Sequence, residues 1–323
     1  MNIEGSRILV TGGSGLIGSH IVDLLVLEHP KEIIVFDKNV SGFIEHSLPK
    51  LDYKAVTLCE NDITQPDEVQ KALKEVDFVF HAASLLTKES DEQLRAAYEV
   101  NVGGMYNVLE GSVAAGVKKL IYSSSISIYG NPVMKPMTEE HPLNTVSMYG
   151  AGKVACEFLL RVFKNKFGLN YVALRYSPVY GSRQTERTNI AQYISESFAR
   201  IEQNLPPLIY GDGSQLYDYI YVEDVARANI VALKSPVNSE SFNIATGIST
   251  SVTDVVRMIR EITGTSLEAE YVSQGDRFGT KNLFFDVTKA EKVLGYKAAV
   301  SMKEGLTRFY KWTKENEKYK SEE

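Results

Sequence analysis

Tyr149 and Lys153 stand four residues apart in a stretch of helical pattern, so their side chains share one face. A phenol is a poor base near neutral pH, because its ordinary pKa is about 10. A neighbouring ammonium favours the phenolate. Such a pair can take a proton from a substrate hydroxyl while a hydride leaves the same carbon. Ser125 ends Ser123-Ser124-Ser125, just after the apolar run Leu120-Ile121-Tyr122. Its hydroxyl can bond the reacting oxygen and help orient the base. Each feature alone has a plainer reading. Tyr149 could pack along the Lys153 stem, and the serines could satisfy their own turn.

The elements that must position these groups are short and regular. Strands are predicted at 7–10, 33–37, 55–58, 77–81, 120–124 and 171–175, and helices at 16–28, 66–75, 93–115 and 148–167. Alternation of this kind predicts an α/β fold, a doubly wound parallel sheet covered on both faces. Ligands on such sheets bind at the carboxyl ends of the strands. Gly12, Asp37, Asp62, His81-Ala82-Ala83, Ser125 and Tyr176 all fall there. After Arg175 the rhythm breaks at Pro178, Gly181, Pro206-Pro207 and Gly211-Asp212-Gly213. A helix at 223–234 and a strand at 242–244 read as a return to the first domain, with further helices at 252–263, 288–294 and 302–314. The expected division is a first domain of 1–176 joined by 218–247, capped by a smaller mixed α/β lobe of 177–217 and 248–323. The Glu/Lys-rich stretch 314–323 reads as a solvated end.

Arg7-Ile8-Leu9-Val10-Thr11-Gly12-Gly13-Ser14-Gly15-Leu16-Ile17-Gly18 reads as strand, tight turn, helix. Gly12, Gly15 and Gly18 let the backbone turn sharply, approach a pyrophosphate and pack helix on strand. Free N–H groups at the helix start then face the anion. Asp37 closes the next apolar run, Ile33 to Phe36, where a carboxylate can accept from both hydroxyls of an adenine ribose. A glycine-rich turn with no ligand is the plainer alternative. With Asp37 in place the expectation is a dinucleotide, and NAD over NADP, because Asp37 would repel a 2′-phosphate. The adjacent Lys38 could offset part of that repulsion.

Bulk composition narrows the classes. The chain has 323 residues, 44% of them hydrophobic, which fits one large or two modest globular domains. The formal net charge is −6 and no dense basic tract occurs, so nucleic acid is not an expected partner. Cys59 and Cys156 are the only cysteines, too few for a disulfide scaffold and suited to a reducing compartment. No signal-like or membrane-length apolar run is read, so the expectation is a cytoplasmic protein. His20, His29, His46, His81 and His141 lack metal-ligand spacing, so no metal is expected.

Taken in order, these pieces resemble the extended short-chain dehydrogenase/reductases, and more narrowly the NAD-dependent sugar-nucleotide epimerase/dehydratase family. The resemblance spans nearly the whole chain. It rests on the glycine turn, Asn61-Asp62-Ile63, His81-Ala82-Ala83, Asn101, Tyr122-Ser123-Ser124-Ser125-Ile126-Ser127-Ile128-Tyr129-Gly130 and Tyr149-Gly150-Ala151-Gly152-Lys153. Leu174-Arg175-Tyr176, Val179-Tyr180-Gly181, Tyr210-Gly211-Asp212-Gly213 and Tyr221-Val222-Glu223-Asp224-Val225-Ala226 complete it. The resemblance implies a Rossmann-type sheet and bound NAD. Gly12, Gly15, Leu16, Ile17 and Gly18 would cradle the cofactor, with Asp37 and Lys38 near its ribose. Asp62 and Ile63 would flank the adenine. Ala82, Ala83, Asn101 and Ser123 would line the groove, Lys153 would hold the nicotinamide ribose and Tyr176 would pack near the nicotinamide. In the epimerases the tyrosine takes the proton of the sugar 4-hydroxyl while NAD takes the hydride. The 4-keto sugar turns over and is reduced on its other face.

The same resemblance narrows the reaction. The 4,6-dehydratases carry an Asp-Glu pair where Ile126 and Ser127 stand, and decarboxylases tend to place Glu at Ser127. Neither residue here can do that proton chemistry, which leaves epimerisation first. Ser125, Ser127, Tyr149, Pro178, Arg183, Tyr217 and Arg277 are the expected substrate contacts. Three positions depart from the family pattern: Pro178 replaces an Asn, and Tyr217 and Ser273 replace arginines that often hold the nucleotide diphosphate. Losing two arginines removes bidentate anion contacts. Arg183, Arg187, Arg277 or Lys281 could compensate, or could be ordinary solvated charges. The departures predict altered selectivity, down to loss of activity on UDP-glucose. They also keep open a dehydrogenase acting on a small alcohol or ketone, and more remotely an NAD-binding regulator. A homodimer is expected through the 93–115 and 148–167 helices, where Val154, Phe158, Leu159, Val162 and Phe163 span more than one face.

Overall fold

In the computed structural model, residues 1–41, 51–184, 191–273 and 282–316 are described. Runs such as Ile8-Leu9-Val10 are apolar on both faces, and they form buried parallel strands. The central sheet contains β1 (Arg7–Thr11), β2 (Glu32–Asp37), β3 (Val56–Glu60), β4 (Phe78–His81), β5 (Lys119–Ser125), β6 (Tyr171–Tyr176) and β11 (Glu240–Ile244). Outside it lie three short pairs: β7 (Val179–Tyr180) with β10 (Ile220–Tyr221), β8 (Leu208–Tyr210) with β13 (Glu270–Val272), and β9 (Leu216–Tyr217) with β12 (Thr250–Ser251).

The strand order is β11-β6-β5-β4-β1-β2-β3, and every neighbour pairs in parallel. The order reverses between β1 and β4, which opens a crevice at their carboxyl ends. Ile8 and Val10 face the layer of the Leu16–Val26 and Val222–Lys234 helices, packing with Ile21, Leu25 and Val225. Leu9 faces the opposite layer, packing with Val69, Leu109 and Leu160 of the Pro66–Ala72, Gly104–Ala115 and Met148–Phe167 helices. A third core cluster gathers Tyr193, Phe198, Tyr217, Val255 and Phe309 around the short strand pairs.

The Met148–Phe167 helix begins and ends where its sequence says it should. The Ser147 hydroxyl accepts from the Gly150 N–H at 3.1 Å, and Gly168 closes the helix in the left-handed conformation at φ 77°. The helix expected over 93–115 runs on continuously but is locally widened. It comprises Leu94–Ala97, a wide π-type turn at Tyr98–Gly103, and Gly104–Ala115. The widened turn brings the Asn101 amide against the backbone of Leu85, at 2.7 Å from its N–H and 3.1 Å from its carbonyl. No described helix is long and apolar enough to cross a membrane.

Candidate active site

β5 ends at Ser125, and the Met148–Phe167 helix carries Tyr149 and Lys153 to the same place. Ser125 hydrogen-bonds the Tyr149 hydroxyl. Ser125 Oγ also donates to Ser127 Oγ at 3.1 Å and accepts from the Ser127 N–H at 3.1 Å. Burial pushes the Tyr149 phenol up to about 12, with the Ser125 bond pulling it back. Lys153 Nζ donates to the Ser123 carbonyl at 2.7 Å and lies 5.4 Å from the centroid of the Tyr149 ring. Burial pushes its pKa down to about 8. Lys153 thus shares the tyrosine's face, as the spacing predicts, while its hydrogen bond goes to β5.

The other expected groove residues gather around this pair. Ser123 Oγ lies 3.2 Å from the Tyr176 hydroxyl, and Asn229 Nδ2 donates to that hydroxyl at 2.8 Å. Tyr176 is buried, its phenol raised by that burial. His81 Nδ1 lies 2.7 Å from Thr11 Oγ1, and its ring stacks on Tyr122 at 5.7 Å. Burial pushes His81 down to about 3, so the ring is neutral. The Asn101 amide is bound to Leu85, Ser84 and Ser90, so it braces the loop after β4.

The glycine turn fits a dinucleotide. Gly12 adopts φ +67°, and a Cβ there would lie 2.6 Å from the Ala83 nitrogen. A Cβ on Gly18 would lie 2.1 Å from the Gly12 carbonyl oxygen. The following helix starts at Leu16 with Gly15 as its cap, no side-chain capping bond and no acidic residue in its first turn. Its N–H groups and positive dipole end are therefore left for an anion. The Ser14 hydroxyl within the turn is buried without a hydrogen-bond partner, a donor suited to a phosphate oxygen. Asp37 lies beside the turn and accepts from the Ser14 N–H at 3.0 Å. Burial raises its carboxyl. Lys38 reaches Asp62 at 3.2 Å rather than Asp37, so its offsetting charge is directed elsewhere. Ile63 packs against Gly104, where a Cβ would lie 2.8 Å from it.

The substrate side departs from expectation at Arg183. Its guanidinium turns inward, with Nη2 2.7 Å from Asp23 on the cofactor-side helix. Asp23 also accepts from the Tyr53 hydroxyl at 2.7 Å, and His20 Nε2 lies 3.0 Å from Ser182 Oγ. Only Nη2 is paired in this way; Nη1 is buried without a hydrogen-bond partner. Tyr217 is fully buried, edge-on to Tyr219 at 5.8 Å. Pro178 is half-buried and uses its carbonyl to accept from the Ile220 N–H at 3.0 Å. Arg187, Arg277 and Lys281 lie outside the described residues.

Sequence reasoning missed Glu157 and Arg175, a buried pair 2.7 Å apart behind Ser125. The signal for Glu157 was present, since Tyr149, Lys153 and Glu157 repeat at four-residue spacing on one helix. Asn229 was missed as well, and no local motif marks it.

The profile of the NAD dependent epimerase/dehydratase family matches residues 8–245. The chain is 36% identical over 313 residues to a putative UDP-glucose 4-epimerase of Methanocaldococcus jannaschii, covering 96% of this chain and 99% of that one. Its fold is similar to a UDP-N-acetylglucosamine 4-epimerase of Methanobrevibacter ruminantium solved with UDP-N-acetylmuramic acid, with TM-score 0.90, 31% identity and coverage of 97% and 99%. It is similar too to a Thermus thermophilus UDP-glucose 4-epimerase solved with NAD, with TM-score 0.83, 31% identity and coverage of 95% and 99%.

Proposed function

The chain belongs to the NAD dependent epimerase/dehydratase family, and from that premise we propose that it epimerises a UDP-linked sugar at C4 through a 4-keto intermediate. The observation that carries this is the meeting of Ser125, at the end of β5, with Tyr149, and Lys153 one helical turn along with its Nζ 5.4 Å from the Tyr149 ring centroid. NAD, when bound, supplies the hydride acceptor and donor for the sugar carbon. Tyr149 takes the proton of the sugar 4-hydroxyl and returns it after the sugar turns over. Ser125 bonds the reacting oxygen and keeps the phenol aligned. Lys153, with a pKa of about 8, stays mostly charged at pH 7 and favours the phenolate. Ile126 and Ser127 offer no acid or base for eliminating water, so the cycle closes without dehydration.

The groove residues are assigned to NAD by position. Gly12, Gly15, Leu16, Ile17 and Gly18 face its pyrophosphate, and Asp37 its adenine ribose. Asp62 and Ile63 flank the adenine; Ala82, Ala83, Ser123 and Tyr176 line the way to the nicotinamide. The described residues of 177–217 and 248–316 form the lobe that clamps the nucleotide. Related enzymes named above are sugar-nucleotide epimerases, which disfavours the small-alcohol dehydrogenase.

The deciding assay incubates the protein with UDP-glucose, UDP-N-acetylglucosamine and further nucleotide sugars without added reductant, and follows stereochemistry by NMR. The expected result is an epimer with no net NADH. Stoichiometric NADH from a non-nucleotide alcohol, with no epimer from any sugar, would overturn the assignment.

The reading includes a homodimer in the cytoplasm. On the Met148–Phe167 helix, Phe158 and Val162 are half exposed, whereas Phe163 is buried within the chain. Tyr98 and Tyr106 on the neighbouring helical segment are exposed too, and the four offer an apolar face to a twofold mate. Light scattering at micromolar concentration should give twice the chain mass; a monomer would refute it. Both cysteines are free, as a reducing compartment allows.

A further inference from the structure

The helix face that carries Tyr149 and Lys153 continues to Glu157, which the mechanism above does not use. Glu157 is only 2% exposed, yet both of its carboxylate oxygens are bonded. Ser124, the residue before Ser125, donates its hydroxyl to Oε1 at 2.7 Å. Arg175 on β6 grips both oxygens, Nε to Oε1 at 3.0 Å and Nη2 to Oε2 at 2.7 Å. Arg175 Nη1 donates in turn to the Tyr129 hydroxyl at 2.8 Å. Tyr129 closes the short turn Ile126–Tyr129 that Ser125 caps. Ser125 is therefore bracketed by Ser124 and Tyr129, and both are tethered to the same ion pair.

Stability does not account for such a pair. Apolar residues of similar volume in place of a buried ion pair are often neutral or stabilising. What apolar residues cannot do is fix direction, and the bonds from Ser124 and Arg175 tie one carboxylate to both β5 and β6.

We propose that Glu157, held by Arg175, is a positioning residue for the reaction: it registers the catalytic helix on β5 so that the Tyr149 hydroxyl meets Ser125. Misplacement of reacting groups by about 1 Å can cost on the order of a hundredfold in rate. The rate part of this inference rests on the epimerase reading; the spectroscopic part does not.

The test uses the full-length NAD-bound protein. Ser124→Ala removes the tether beside Ser125 and leaves the ion pair intact. Its expected effects are a fall in kcat on the order of tenfold with KM within about twofold of wild type. The acid limb of the pH profile should also move to higher pH, because the Ser125 bond that lowers the Tyr149 pKa is loosened. With 13C-labelled tyrosine, the Cζ resonance of Tyr149, assigned by its loss in Tyr149→Phe, should shift. Ser124→Thr, which keeps the hydroxyl, should restore wild-type values. Ser241→Ala removes the 3.1 Å bond that Ser241 of β11 donates to Glu157 Oε2, on the side away from Ser124, and should leave kcat and the resonance unchanged. Should Ser124→Ala fail to fold, Glu157→Gln takes its place with the same expected directions. Wild-type kcat and an unmoved resonance in the folded variant would overturn the proposal. So would an equal loss of kcat in Ser241→Ala. If the wild-type protein epimerises no sugar nucleotide, the functional reading fails, and the Tyr149 resonance still decides the positioning role.

Discussion

Tyr149→Phe is expected to leave the protein folded and able to bind NAD while lowering turnover by roughly a hundredfold to ten-thousandfold. The substitution removes one hydroxyl and keeps the ring over which Lys153 lies. Ser125 loses a partner but retains its bonds to Ser127, so no buried group is orphaned beside it. The proton must leave the sugar hydroxyl and later return, and the same oxygen serves both steps. Its loss therefore slows the reaction in both directions equally. Initial rates by NMR, set against NAD affinity from fluorescence titration, separate the two effects. Near wild-type turnover would sink the mechanism, and lost NAD affinity would show that the phenol serves the cofactor as well.

Gly18→Ala should abolish measurable NAD binding and lower Tm by several degrees. The added methyl would lie 2.1 Å from the Gly12 carbonyl oxygen and 2.7 Å from the Gly13 Cα. Both are backbone atoms of the glycine turn, so relief requires the turn itself to open. Overpacking of this kind costs about 1–3 kcal/mol, and here the strain falls on the anion site. Gly116→Ala makes the control. Gly116 has φ +70° with nothing within 4 Å of an added Cβ, so it carries backbone strain without a clash. Calorimetry on both variants, with and without NAD, should show the NAD-induced rise in Tm lost only at Gly18. Wild-type affinity in Gly18→Ala would mean that the turn does not hold the pyrophosphate.

What could be read from the sequence was local. Gly12 to Gly18 announces its turn because strand, glycines and helix are contiguous. The Met148–Phe167 helix matches its expected limits because Ser147 and Gly168 cap it. Tyr149 and Lys153 were visible for the same reason. Residues whose partners lie far along the chain were not. Arg183 meets Asp23 across 160 positions, a pairing that no local pattern marks. Arg175 meets Glu157 only once β6 is laid beside β5. The widened turn at Tyr98–Gly103 places Asn101 against the Leu85 backbone, which helical periodicity cannot show. Of the broad apolar face on the 148–167 helix, the sequence could not say that Phe163 turns inward while Phe158 stays out.

The contacts from His20 to Ser182 and from Asp23 to Arg183 bear on the residence time of the cofactor. Both start on the helix proposed to face the pyrophosphate, and both end on the segment that leads away from β7. The start of that segment is thereby tied to the helix. For a dehydrogenase that must trade spent cofactor for fresh at each turnover, such a linkage would be a brake. A catalyst that restores its own oxidant in every cycle has no use for exchange, and slow dissociation then protects it against dilution of the cofactor pool.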